Sequence, residues 1–147
     1  MKRAALAIGF LLPALASCDP VLSPDDVAGE YVLQGTPVIL ELDHGRITLL
    51  ADTLRLSTDG TATRVVVETY ESGTETLSDT RIEPYRYTIR RGRVELAYVC
   101  PINALMLCTP PPHMWGPPNA SGLALRAAIE PAVVLQYDRL HGGVRTQ

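Results

Sequence analysis

The chain has 147 residues and a formal net charge of −3, from 13 basic against 16 acidic residues. That length suits one domain with a core of its own. The charges are scattered rather than blocked, which argues against a nucleic-acid surface built on a basic stripe, and the sole lysine, Lys2, leaves Schiff-base chemistry no residue in the body of the chain.

Lys2 and Arg3 open the sequence, and Ala4 to Ser17 follow as a run of apolar and small residues broken by Gly9 and Pro13. A spanning helix needs roughly 20 apolar residues. This run is shorter and reads as the core of an export signal. It ends in Leu15-Ala16-Ser17-Cys18, a branched apolar residue, two small residues and a cysteine. The stretch resembles the lipobox of bacterial lipoproteins. The resemblance implies cleavage before Cys18, a diacylglyceryl thioether on its thiol and, usually, a further acyl chain on the new amino group. Such chains, at about 0.8 kcal/mol per buried methylene, make a durable membrane anchor. The implied location is the bacterial cell envelope, facing the periplasm or the exterior, with inner and outer membrane both open. Residues 1–17 are expected to be removed, 18–27 to be the lipidated cysteine and a short tether, and 28–139 the folded domain. With Cys18 acylated, Cys100 and Cys108 are left to pair with each other in an oxidising compartment.

After residue 26 the apolar pattern has period two, which predicts strands. They fall at 29–34, 37–42, 46–57, 61–71, 75–82, 84–91 and 93–99. The strand over 46–57 changes parity, which predicts a bulge or bend near Ala51-Asp52. In 61–71, Val65 and Val67 share one face and Arg64, Val66 and Glu68 the other. In 84–91, Tyr85, Tyr87 and Ile89 alternate with Arg86, Thr88 and Arg90. Asp59-Gly60 predicts a type I′ hairpin, and Arg91-Gly92 a further tight turn.

Cys100 to Pro118 interrupts the strands. The pairing of Cys100 with Cys108 closes a short loop there, contributing roughly 2–3 kcal/mol by chain entropy. The alternative is a soft-metal site using Cys100, Met106, Cys108, His113 and Met114, residues that Cu(I) favours; the spacing matches no zinc pattern, and no metal is assigned. The prolines between 110 and 118 stiffen the backbone around Trp115, the only tryptophan. Trp115 either folds back over the barrel mouth or is presented to a partner. Two last strands are expected at 122–129 and 132–138, and a frayed tail at 140–147.

About eight short, evenly spaced strands with one apolar face each predict an all-β domain, a single antiparallel up-and-down barrel or sandwich. The domain resembles the lipocalin-like envelope lipoproteins. Gly29-Glu30-Tyr31 is similar to the G-x-W that opens many lipocalins, with tyrosine for tryptophan, and Arg139 stands where lipocalins carry an arginine that packs under that ring. No counterpart of the lipocalin C-terminal helix is expected after Arg139. The resemblance implies a small apolar ligand or lipid inside the barrel. The candidate ligand-binding residues are Tyr31, Val65, Val67, Tyr85, Tyr87 and Leu96, with Val94 and Leu135 beside them and Trp115 at the mouth. A solid core would use the same inward residues.

No G-x-S-x-G, H-E-x-x-H, P-loop or dinucleotide fingerprint occurs, and His44, His113 and His141 fall in expected loops. The expected function is therefore binding without catalysis and without a cofactor. The partners are the membrane, through Cys18, and a small apolar ligand. The alternative is an envelope protein, bound through the 100–118 loop as some lysozyme-inhibitor lipoproteins bind theirs.

Overall fold

Period-two alternation makes strands that each carry one apolar face, and such faces are satisfied when the sheet curls onto itself. The computed structural model describes residues 21–100, 108–128 and 132–140. Cys18, Met106 and the 141–147 tail lie outside them. A short helix, α1 (Pro24–Val27), precedes nine strands: β1 (Gly29–Leu33), β2 (Val38–Leu42), β3 (Gly45–Leu56), β4 (Thr61–Ser72), β5 (Glu75–Arg90), β6 (Arg93–Tyr98), β7 (Met114–Gly116), β8 (Gly122–Ala127) and β9 (Val133–Leu140). All pairings are antiparallel. From β3 to β9 each strand pairs with the next, and β1 pairs with both β9 and β3. Eight strands thus close a ring, and β2 hangs on the outside of β3 as an extra strand. Of the barrel and the sandwich that the sequence left open, the structure has the barrel, and it is consistent with a lipocalin-like one.

β3 closes the ring because it serves two partners along its length. Gly45 to Leu49 pair with β2, and Thr53 to Leu56 pair with β1. Between the halves the register against β4 slips at Leu50, beside the expected bend. The extra residue resets the pleat. Leu49 on one side of it, and Leu54 and Leu56 on the other, all reach the core, while Leu50 stays exposed.

Three strand expectations are corrected. The segments 75–82 and 84–91 are one continuous strand, β5, running through Pro84. Pro84 is tolerated because its backbone oxygen accepts from the Val99 N–H at 2.9 Å, just past the end of β6. In an antiparallel ladder the N and O of a residue face the same neighbour, so the missing N–H falls where that ladder ends. β7 was not expected at all, since three residues between prolines leave no alternation to read. In β4 the faces are inverted: Ala62, Arg64 and Val66 are buried, whereas Val65 and Val67 are half-buried on the outer face.

The turns are also redistributed. Arg91 and Gly92 both have positive φ, 50° and 69°, which makes Arg91-Gly92 the type I′ turn. At Asp59-Gly60 only Gly60 is left-handed, at φ 80°. There the Gly60 N–H donates to Ser57 O, and Ser57 N–H to Thr61 O. That pattern is a type I turn closed by a left-handed glycine.

α1 caps one end of the barrel. Pro24 begins it, and the Asp26 carboxylate accepts hydrogen bonds from the Ser23 N–H and hydroxyl, each at 2.7 Å. Val27 is buried, so the segment 24–27, expected as tether, belongs to the folded body. The Tyr31 hydroxyl donates to Val27 O, and the Tyr87 hydroxyl to Ser57 O at 2.7 Å. Arg139 donates to the carbonyls of Asp26 and Ala28, and its guanidinium lies 5.9 Å from the Tyr31 ring centroid. The arginine-on-aromatic arrangement suggested by Gly29-Glu30-Tyr31 and Arg139 is therefore present.

Candidate functional site

The other end of the barrel holds a charge cluster and a cavity. The cluster starts from register. Arg64 on β4 stands directly opposite Glu83 on β5, and Asp52 on β3 stands opposite Val66, one same-face step from Arg64. Directly opposite residues share a sheet face, so all three side chains point inward. Asp52 is fully buried, and Arg64 and Glu83 are nearly so. Arg64 Nε lies 3.0 Å from both Asp52 oxygens, and Nη2 donates to Oδ2 at 2.6 Å, giving a side-on pair. Nη1 donates to Glu83 Oε2 at 3.2 Å. The Tyr137 hydroxyl donates to Asp52 Oδ2 and the Tyr85 hydroxyl to Glu83 Oε2, each at 2.8 Å. Among the described residues no buried side-chain nitrogen or oxygen lacks a partner.

The cluster sets its own ionisation. Burial alone lowers the Arg64 pKa, but the hydrogen bonds to Asp52, together with Tyr137 and the two carboxylates, raise it further, so the guanidinium stays charged. Burial pushes the Tyr137 phenol well above the usual tyrosine value, with the Asp52 charge adding to the effect. Burial also raises Tyr85, and Glu83 raises it further. Both phenols are neutral donors at physiological pH.

Arg64 forms part of the lining of a cavity of about 450 Å³, within the range of small-molecule sites. Its apolar wall comes from Leu40 on β2, Ile47 and Leu49 on β3, Met114 on β7, Ala127 on β8 and Leu135 on β9. Glu68 and Arg81 form part of the polar wall and pair with each other at 3.0 Å. A second Arg81 contact reaches Glu83 Oε1 at 3.7 Å.

Of the residues expected to line a ligand site, all but Leu135 lie away from this cavity. Tyr31 and Tyr87 are buried at the closed end beneath α1. Tyr85 joins the charge cluster. Leu96 and Val94 are fully buried core on β6. Val65 and Val67 lie on the outer face, as noted. Trp115 is half-buried on the outer wall, opposite Glu95 and Arg126, and stacks on His113 with ring centroids 5.4 Å apart. It does not plug the mouth, because its neighbours Met114 and Gly116 occupy the inward face of β7. Leu135 alone of the expected inward set forms part of the lining.

The missed residues left a trace in the sequence. Counting back in steps of two from Leu56 and Leu54 reaches Asp52, and from Tyr87 and Tyr85 reaches Glu83. Two acidic residues on apolar faces call for a buried cation, which Arg64 supplies in the structure.

Cys100 and Cys108 are joined in a disulfide with Cα atoms 6.0 Å apart, as expected. The bond occupies both sulfurs and removes the thiolates that the soft-metal alternative requires. Among the described residues no group of three metal-binding side chains assembles elsewhere, and no helix is long and apolar enough to cross a membrane. No protein-family model matches the chain, and no curated protein or solved structure matches it.

Proposed function

We propose that the protein is a lipoprotein of the bacterial cell envelope, anchored through acyl chains on Cys18, whose barrel binds a small apolar ligand or lipid without transforming it. The observation that carries the binding part is the cavity of about 450 Å³ at the end away from α1, with apolar walls on five strands. The anchor rests on the Leu15-Ala16-Ser17-Cys18 stretch and its apolar run. The non-catalytic reading is supported by how the acidic groups are used. Asp52 and Glu83 are both committed to Arg64 and a tyrosine, which leaves neither poised as a general base.

Mass spectrometry of the protein extracted from its own membrane tests both parts. The denatured mass is expected to lack residues 1–17 and to carry acyl additions on Cys18; an unmodified Cys18 ends the anchor proposal. The native spectrum is expected to retain a lipid-sized adduct. That adduct should be lost in Leu40→Trp, which fills the cavity from β2, outside the closed ring. A bare native mass for the parent protein counts against a ligand.

Binding of an envelope protein through the 100–118 loop has one observation in its favour. The His113–Trp115 stack faces outward on the short strand that ends the loop. Capture of a partner that Trp115→Ala abolishes and Leu40→Trp spares would favour that reading.

A further inference from the structure

The polar wall of the cavity has a charge balance that selects among amphiphiles. Arg64 and Arg81 are the cations of its lining, and each is already paired. Arg64 is held by Asp52 and Glu83, and Arg81 by Glu68. The connected group thus has one more carboxylate than guanidinium. A ligand carboxylate or phosphate brought here finds no free cation. It must either displace a protein carboxylate or stand against the excess negative charge, in a site where burial strengthens the repulsion.

Arg81 still has donors to offer. Its contacts to Glu68 and Glu83 run through Nη2 alone. Guanidinium carries five N–H donors, and those on the Arg81 Nε and Nη1 have no acceptor among the described residues, whereas Arg64 is ringed by Asp52, Glu83 and the hydroxyls of Tyr85 and Tyr137. An uncharged acceptor, such as an ester or amide carbonyl or a hydroxyl, takes such a donor without adding charge.

Resting on the ligand-binding reading above, we infer that the cavity selects amphiphiles with an apolar chain and an uncharged, hydrogen-bond-accepting head, and rejects free fatty acids of the same chain. Arg81 supplies the donor, and the excess carboxylate supplies the rejection.

The test is a competition at neutral pH between 1-monopalmitin, palmitate and hexadecylammonium, read by native mass spectrometry on the full protein in detergent. The expected result is monopalmitin bound at least about tenfold more tightly than palmitate, a difference of about 1.4 kcal/mol. Glu68→Gln removes the excess negative charge from the group. It lies on the cavity wall rather than in the buried trio, and it is expected to narrow the ratio by strengthening palmitate. Palmitate binding as tightly as monopalmitin overturns the inference and leaves the cavity reading standing. Hexadecylammonium binding most tightly of the three overturns it too, because the excess charge would then be a cation site. No binding of any probe removes the cavity reading itself.

Discussion

Asp52, Arg64 and Glu83 sit where a barrel of this size would ordinarily place leucine or valine. A buried ion pair gains little over an apolar substitute, but removing one partner is costly because the other charge stays behind. Asp52→Leu leaves Arg64 with Glu83 alone and leaves the Tyr137 hydroxyl without its acceptor. The expected loss is roughly 3–5 kcal/mol, seen as a lower denaturation midpoint in urea. Tyr137→Phe removes one hydrogen bond and keeps the ion pairs, and is expected to cost only about 1–2 kcal/mol. Equal losses for the two variants would show that the cluster does not act through charge.

The tyrosines provide a second check on the same groups. Tyr31, Tyr85, Tyr87 and Tyr137 are all raised, with burial the largest cause in each. In the unfolded chain they titrate near pH 10. The folded state therefore holds protons that the unfolded state loses, and this contribution to stability is complete below about pH 10 and falls as pH rises toward the folded values. Absorbance at 295 nm is expected to show these four of the six tyrosines ionising late, and together with unfolding. A single transition near pH 10 in the intact fold would contradict the burial described here.

Strands and turns carry a different kind of constraint. β8 approaches β9 so closely at Gly122 that a Cβ there would lie 1.7 Å from Tyr137 O. Because the obstacle is backbone, no rotamer change relieves it. Gly122→Ala is expected to cost at least about 3 kcal/mol and to reduce the yield of folded protein. Gly73→Ala provides the control: it meets nothing within 4 Å and strains only a turn at φ 61°. Similar losses in both would mean that strand spacing is not what Gly122 serves. β3 shows the same economy of position. Its one extra residue, Leu50, lets a single strand present leucines to the core on both sides of a bend and so pair with β1 as well as β2.

The closed ring depends on contacts between distant parts of the chain, and the Cys100–Cys108 bond ties together two points of the chain between β6 and β7. The span is short, eight residues in separation, so the expected contribution is about 2–3 kcal/mol by loop entropy. The double variant Cys100→Ser/Cys108→Ser is therefore expected to fold, with a midpoint lowered to that extent. An unchanged midpoint would show that β7 is held by its ladders alone.

Much of this architecture was legible in the chain. Alternation on β5, β6 and β9 identified Tyr85, Tyr87, Leu96 and Leu135 as inward, and the lipocalin resemblance singled out Tyr31; all are buried. The change of parity in β3 announced its bulge, and the cysteine count announced the disulfide. These are properties of single strands and short loops, so a local pattern suffices to reveal them. The face of β4 was not legible, because Val65, Val66 and Val67 satisfy either parity, and a lone Arg64 belongs outside by its own hydration. It turns inward only because Asp52 and Glu83, 12 and 19 residues away along the chain, meet it there. β7 likewise exists only because β6 and β8 offer ladders to a segment with no pattern of its own. Alternation along the chain determined the class of fold and the faces of most strands. The position and polarity of the cavity were decided by how the closed ring pairs charges from three strands, since burying a charge is settled by its neighbours in space.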